Sequence, residues 1–475
     1  MSAFKKLFTD TAVYGLGSIV PRVFNFFLVP LHTRVFGPEA YGDITDAYGW
    51  MAILNVVFLF GMETAYLRFA TKPGNKEADV FRIGQTVVSL ISIGMTLLLF
   101  GGYWSGWMPI RFGSSALLLY AALTLVVDAL CALPFARLRL QHKPRQFSAL
   151  KIANVVILIT LNLWFLSRPD PQPEKVFLAN LIANTCYLLF LSGMLVRWRP
   201  LLDKTLALPM FRYAWPVMLT GLAGMTNEMF SRISIDNWLP DDFYADATAD
   251  YVQGIFGANY KFAVMMSLVV QAFRMAAEPF FFSHAEQKDS PEVFARVNHV
   301  FTMVATFFLM AICFNMPLLK YFIAAPYWQG LGIVPLLLLG YLFLGIYYNI
   351  SVWFKVTDRT GFGTMITAGG AVLTILLNYL LIPVMGIMGS AVVTFLCYFS
   401  MTIACYLLGQ RHWPVPYTLA RDMIVVFSCF TLVEINSLYN PAEGTLAVAF
   451  GIGATLIALG GFWLLEKDTL RQDLI

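Results

Sequence analysis

Gly15-Leu16-Gly17-Ser18-Ile19-Val20-Pro21-Arg22-Val23-Phe24-Asn25-Phe26 sets one arginine about halfway along a segment long enough to cross a bilayer. A guanidinium at membrane depth is costly and normally faces a bundle interior or water, so this stretch predicts a membrane protein with an aqueous, anion-attracting interior. The composition around it agrees. The 475 residues are 59% hydrophobic and 13% charged, against roughly 45–50% apolar and about 25% charged in a soluble domain. The net charge of +4 is spread in short clusters between apolar runs, which disfavours nucleic acid as a partner. All six cysteines, Cys131, Cys186, Cys313, Cys397, Cys405 and Cys429, fall in apolar stretches with no C-x-x-C pair, so neither a disulfide framework nor a metal site is expected. Lys5 and Lys6 precede a segment too long for a signal peptide, which reads as a retained first helix.

At about 20 apolar residues per crossing, fourteen crossings are expected, from Thr11–Arg34 to Leu446–Leu465. The second is placed at Tyr41–Phe69, the fourth at Ser115–Ala136, the fifth at Phe147–Leu166, the seventh at Ala214–Trp238 and the thirteenth at Leu419–Leu438. Of the 32 Lys and Arg residues, 23 then fall on the side holding both termini and five on the other. The remaining four, Arg22, Arg68, Arg232 and Lys261, lie at membrane depth. That asymmetry predicts cytoplasmic termini. Outer loops such as Gly102–Ser114 are too short for a folded domain, so function is expected in the helical bundle, and a polymerase or ligase is disfavoured.

An internal repeat organises the crossings. A shift of 216 lays Arg139 on Lys355, Lys143 on Arg359 and Asn162 on Asn378 without a gap; a shift of 206 sets Arg22 opposite Glu228, and a shift of 211 sets Cys186-Tyr187 on Cys397-Tyr398. The expected fold is therefore an all-α polytopic membrane protein of two pseudo-symmetric six-helix lobes around a central cavity, plus two C-terminal helices. The divisions are an N-lobe at 1–204, a C-lobe at 205–410 and a helix pair at 411–475.

Charges at membrane depth are the candidate site. In the seventh crossing Glu228, Arg232 and Asp236 are four apart and make one stripe, either a self-neutralising ladder or a cavity lining that takes part in ion coupling or gating. Arg22 is either an ion-pair partner of Glu228 or an anion clamp. Lys261 has no carboxylate at helical spacing and reads as a substrate contact, with snorkelling as the alternative. Arg68 lies at a helix end with Glu63 a turn deeper, and Arg274 with Glu278 reads as a structural pair. No task is given to Asp128 or Glu434. The five histidines are scattered, so no metal is expected. No G-x-x-x-x-G-K-[ST], H-E-x-x-H or D-x-D motif occurs, which disfavours ATP-driven transport and metal-dependent glycosyl transfer, and no cofactor is expected. Basic groups in a cleft suit an anionic headgroup on a lipid tail, moved by alternating access.

Several runs resemble the polysaccharide-transport flippases of the multidrug/oligosaccharidyl-lipid/polysaccharide exporter superfamily. They are Tyr14-Gly15-Leu16-Gly17-Ser18-Ile19-Val20-Pro21-Arg22, the turn Arg34-Val35-Phe36-Gly37-Pro38-Glu39-Ala40-Tyr41-Gly42, Ala272-Phe273-Arg274-Met275-Ala276-Ala277-Glu278-Pro279-Phe280 and Gly345-Ile346-Tyr347-Tyr348-Asn349-Ile350-Ser351-Val352-Trp353-Phe354-Lys355. The resemblance implies flipping of an undecaprenyl-diphosphate-linked oligosaccharide across a bacterial inner membrane for surface polysaccharide or lipopolysaccharide synthesis. It implies Arg22 and Lys261 in the headgroup cavity and a transporter, not an enzyme; from their depth in the membrane, Arg232 and Arg68 are further expected cavity cations, with snorkelling into the headgroups as the alternative for Arg68. A monomer coupled to H⁺ or Na⁺ through Glu228, Asp236 or Glu63 is the accompanying expectation. Lipid II flipping and cation-coupled multidrug antiport are the alternatives within the superfamily.

Overall fold

In hydrocarbon a backbone N–H or C=O has no water to bond, so a chain this apolar must satisfy those groups within helices or a closed barrel. The computed structural model of the protein uses helices, and among the described residues it contains no strand. It describes residues 15, 17, 19–107, 114–245, 247–285, 287, 289–439 and 444–472, without the side chains of 438, 439 and 463–472. The start of the first expected crossing at Thr11, with Lys5 and Lys6, lies outside the described residues, as do Arg111 and Lys288. Eleven helical segments are long and apolar enough to span a membrane. They fall on eleven of the fourteen expected crossings. The first crossing begins outside the description, the seventh is a helix of 30 residues, and the thirteenth is a helix of 21 residues whose last side chains are not described.

The chain divides into two compact units, Met1–Asn237 with Tyr244–Gly254, and Trp238–Phe243 with Ile255–Ile475. Unit 1 contains α1 (Leu28–Val35), α2 (Pro38–Leu59), α3 (Met62–Ala70), α4 (Glu77–Ser105), α5 (Ser115–Leu140), α6 (Pro144–Leu166), α7 (Pro173–Leu195) and α8 (Lys204–Ile233). The helix α9 (Ala249–His284) begins in unit 1 and continues into unit 2, which adds α10 (Ser290–Phe314), α11 (Val334–Ile350), α12 (Gly361–Met385), α13 (Ile387–His412), α14 (Leu419–Tyr439) and α15 (Thr445–Gln472). The repeat assigns α8 to the second copy, yet it packs along α2 and α3 within unit 1. The last two helices both dock on α10. There, buried His299 Nδ1 meets Asp422 Oδ1 at 2.6 Å, Asn315 donates to Thr455 Oγ1 at 2.8 Å, and Gly451 admits the Phe314 carbonyl so closely that a Cβ would approach it to 2.1 Å.

Each unit carries the local structure behind the 216-residue repeat. After α5, His142 turns left-handed at φ 52°, and the Lys143 N–H bonds the Leu138 carbonyl at 3.0 Å. After Phe354, Asp358 does the same at φ 56°, and the Arg359 N–H bonds the Phe354 carbonyl at 2.8 Å. This is a Schellman-type helix stop, which satisfies otherwise orphaned carbonyls. Asn162 and Asn378, both fully buried, also correspond. Each donates to the carbonyl four residues back, at 2.9 and 2.8 Å, and each accepts from another helix, Asn162 from His32 and Asn378 from Ser390.

Pro134 interrupts α5 and cannot donate to the Leu130 carbonyl. The buried Gln85 of α4 supplies the missing donor, Nε2 to Leu130 O at 3.1 Å. Replacing Gln85 by leucine should strand that carbonyl and cost about 1 kcal/mol. In a Pro134→Ala background the restored backbone N–H should shrink the penalty. Melting temperatures in detergent for the four proteins of this cycle test the assignment, which fails if Gln85→Leu costs the same in both backgrounds.

Candidate functional site

Four structural features aim polar groups inward in unit 1. The first is a break in the second crossing at Phe60 (φ 50°) and Gly61 (φ 69°). A Cβ on Gly61 would come within 2.5 Å of the Ala214 carbonyl oxygen, so the break needs glycine both for its torsion and for the nearness of α8. Glu63 follows it by two residues. The other three are helical faces: Asp128, Cys131, Phe135 and Arg139 on α5, Lys151, Asn154 and Leu158 on α6, and Asn180, Asn184 and Tyr187 on α7. Their spacings of three, four and seven place each set on one side of its helix.

These faces, with Arg22, Asn25 and Asn55, line a cavity of about 480 Å3. Its polar groups are connected. Asn154 donates to Asn184 at 2.8 Å, and Asn184 donates to the Asp128 carboxylate at 2.8 Å. The Lys151 ammonium stands 4.3 Å from the Phe135 ring centre and 4.9 Å from that of Tyr187, within electrostatic reach of Asp128. Arg139 is ion-paired with Glu63. In unit 2 the repeat-related Lys355 likewise pairs with Glu278, at 2.6 Å, and Arg274 joins the same carboxylate at 2.9 Å. In the unit 1 cavity three cations face two carboxylates. Glu63 is engaged by Arg139, and Asp128 is shared between Asn184 and Lys151.

Arg22 is the cation left over. It is exposed into the cavity and, among the described residues, has no ion-pair or hydrogen-bond partner. The pairing with Glu228 suggested by the 206-residue shift is not formed. Glu228 is half-buried on α8, and Asp236 is half-buried within electrostatic reach of Asp43 and Asp46. Arg232 is buried, 8% exposed, near Tyr41, and is not among the lining residues. Arg68 is exposed and rests on the Tyr213 ring at 4.3 Å, also outside this cavity. Lys261 is half-buried in unit 2. The cavity thus joins Arg22 and Glu63 of the expected residues and adds Lys151, Arg139, Asp128 and four asparagines besides Asn25. Asp128 at membrane depth and the four-residue step from Asn180 to Asn184 were the available signals.

The fold and this polar interior define an all-helical polytopic membrane protein with a charged cavity among its helices. Over 97% of the chain it is similar to the whole of a lipid II flippase, MurJ, in an inward closed conformation, with TM-score 0.68 and 15% identity. Over 86% it is similar to 95% of an outward-facing multidrug resistance transporter of the MATE family, with TM-score 0.61 and 13% identity. Residues 7–284 match the polysaccharide biosynthesis protein family, and the chain belongs to that family. It is also 22% identical, over 289 residues, to Lsg locus putative protein 1 of Haemophilus influenzae, covering 60% of this chain and 68% of that one. The resemblance read from the sequence is borne out.

A wet cavity has a direct test. In a background without the six native cysteines, Asn25→Cys should react readily with a membrane-impermeant thiol reagent, whereas Leu97→Cys, 69% exposed on the apolar exterior, should stay unmodified. Equal protection of both positions would show that the cavity is closed to water.

Proposed function

We propose that this protein flips a lipid-linked saccharide with a diphosphate head, of the undecaprenyl-diphosphate class, from the inner to the outer leaflet of a bacterial inner membrane. The observation that carries the reading is Arg22, a cation in a polar cavity with no partner among the described residues. A guanidinium there has two N–H groups to offer a phosphate in bidentate fashion. Lys151 offers a second positive charge, and its aromatic support compensates for part of its lost hydration. The amides of Asn25, Asn55 and Asn180 suit sugar hydroxyls, and the ring of Tyr187 suits a sugar's apolar face. The polyprenyl tail stays in lipid while the head rides in the cavity.

In this reading the head is released by reorientation of the cavity from one leaflet to the other. Lys261 is retained as a second headgroup contact, and Glu228 and Asp236 as the carboxylates through which H⁺ or Na⁺ would drive the cycle. An exporter of organic cations fits less well, because both carboxylates in the cavity already hold a positive partner. The family to which the chain belongs supports polysaccharide synthesis as the purpose.

The test is leaflet exchange of a fluorescent lipid-linked saccharide in vesicles holding the purified protein, followed by quenching of the outer leaflet. Losing a charge-assisted hydrogen bond costs about 1.5–3 kcal/mol, so Arg22→Ala and Lys151→Ala should each slow exchange roughly 10- to 150-fold. Exchange at the normal rate in well-folded Arg22→Ala protein would overturn the assignment.

A further inference from the structure

A second pocket, of about 420 Å3, opens at the end of unit 1 where α4 begins and α5 and α7 end. Four cations line it, Arg82, Arg137, Lys143 and Arg197, and no carboxylate does. Its walls are fixed before anything binds. Arg137 is held by Glu77 at 2.8 Å and lies over the Phe81 ring at 4.7 Å. The connection from α7 to α8 is fastened across α4, with Trp198 Nε1 donating to the Arg82 carbonyl at 3.2 Å and Arg82 Nε donating to the Arg199 carbonyl at 3.0 Å. Lys143 and Arg197, both exposed, have no partner among the described residues.

The pocket also continues into an apolar strip. Leu189 and Gly193 are four apart on one face of α7, with Phe190 beside them, the two large side chains 69% and 68% exposed, and the pocket's Arg197 follows two residues past the helix end. Gly193 has nothing within 4 Å of where a Cβ would stand, so the space between strip and cations is open. A ligand matching this surface has a phosphate at one end and hydrocarbon at the other.

We propose that this pocket binds the headgroup phosphate of an anionic glycerophospholipid from the adjoining leaflet, the one expected to face the cytoplasm, with an acyl chain along Leu189 and Phe190. A basic pocket between helices at the membrane surface is the chemistry that holds such lipids. This site is separate from the cavity of Arg22 and does not depend on what the protein transports.

Native mass spectrometry of the protein released from mixed vesicles of phosphatidylglycerol and phosphatidylethanolamine tests it. The wild type should retain one phosphatidylglycerol that Lys143→Gln/Arg197→Gln releases about 30-fold more readily, each basic group near the surface contributing roughly fivefold. Lys204→Gln, which removes an exposed charge outside the pocket, should retain the lipid as the wild type does. Equal retention by the double variant, or equal loss in Lys204→Gln, would overturn the proposal. Displacement of the lipid from the wild type by millimolar inorganic phosphate would overturn it in favour of a soluble anion. Saccharide flipping is not read in this experiment, so its outcome is independent of the proposed transport function.

Discussion

Water is absent from the bilayer core, and every polar group there must find a partner inside the protein. Most of this molecule obeys that constraint locally, through helices, through the paired stops at His142 and Asp358, and through buried Asn162 and Asn378. Pro134 breaks the rule, and Gln85 restores it from the next helix. Against this background the cavity of unit 1 stands apart. It gathers charged and amide groups into one space and leaves Arg22 with no partner among the described residues.

Charge balance gives the cavity its character. Had Arg139 and Lys151 stood without Glu63 and Asp128, three cations would repel one another across a small volume. The carboxylates remove most of that repulsion, leaving an excess of a single positive charge. For the proposed diphosphate head, such a site attracts the phosphate while leaving its release on the far side unhindered by a larger positive charge. Placing Lys151 over two rings adds to this, since a quadrupole stabilises a cation without neutralising it.

Arg22 was legible in the sequence because a lone charge in an apolar run has few explanations. The repeat at 216 was legible because a left-handed helix stop fixes a run of residues at one length, with no room for a gap. Arg139 and Lys151 were less so. Arg139 reads as a loop charge because α5 runs to Leu140, past the end at Ala136 expected from apolarity, and Lys151, in the first turns of the expected fifth crossing, counts with the inner-side charges. A basic residue in the last or first turn of a helix looks the same in sequence whether it faces headgroups or an interior. Apart from the four-residue step from Asn180 to Asn184, the asparagines were nearly silent, because an uncharged amide hardly disturbs a hydropathy pattern. The 206-residue shift misled over Arg22 and Glu228, since matches between glycine and aliphatic residues are cheap in any membrane chain.

The bond from Gln85 to the Leu130 carbonyl keys α4 to α5 at a single register. Sliding one helix along the other would leave a carbonyl and an amide bare in hydrocarbon, so the two travel together as one stiff plank. In the proposed transport cycle, flexure then falls to the jointed second crossing at Phe60 and Gly61, where the ladder of helical bonds is already open. Because Glu63 sits just beyond that joint, a small bend there would swing Glu63 and its partner Arg139 relative to Arg22 and change the pull on whatever anion lies between them.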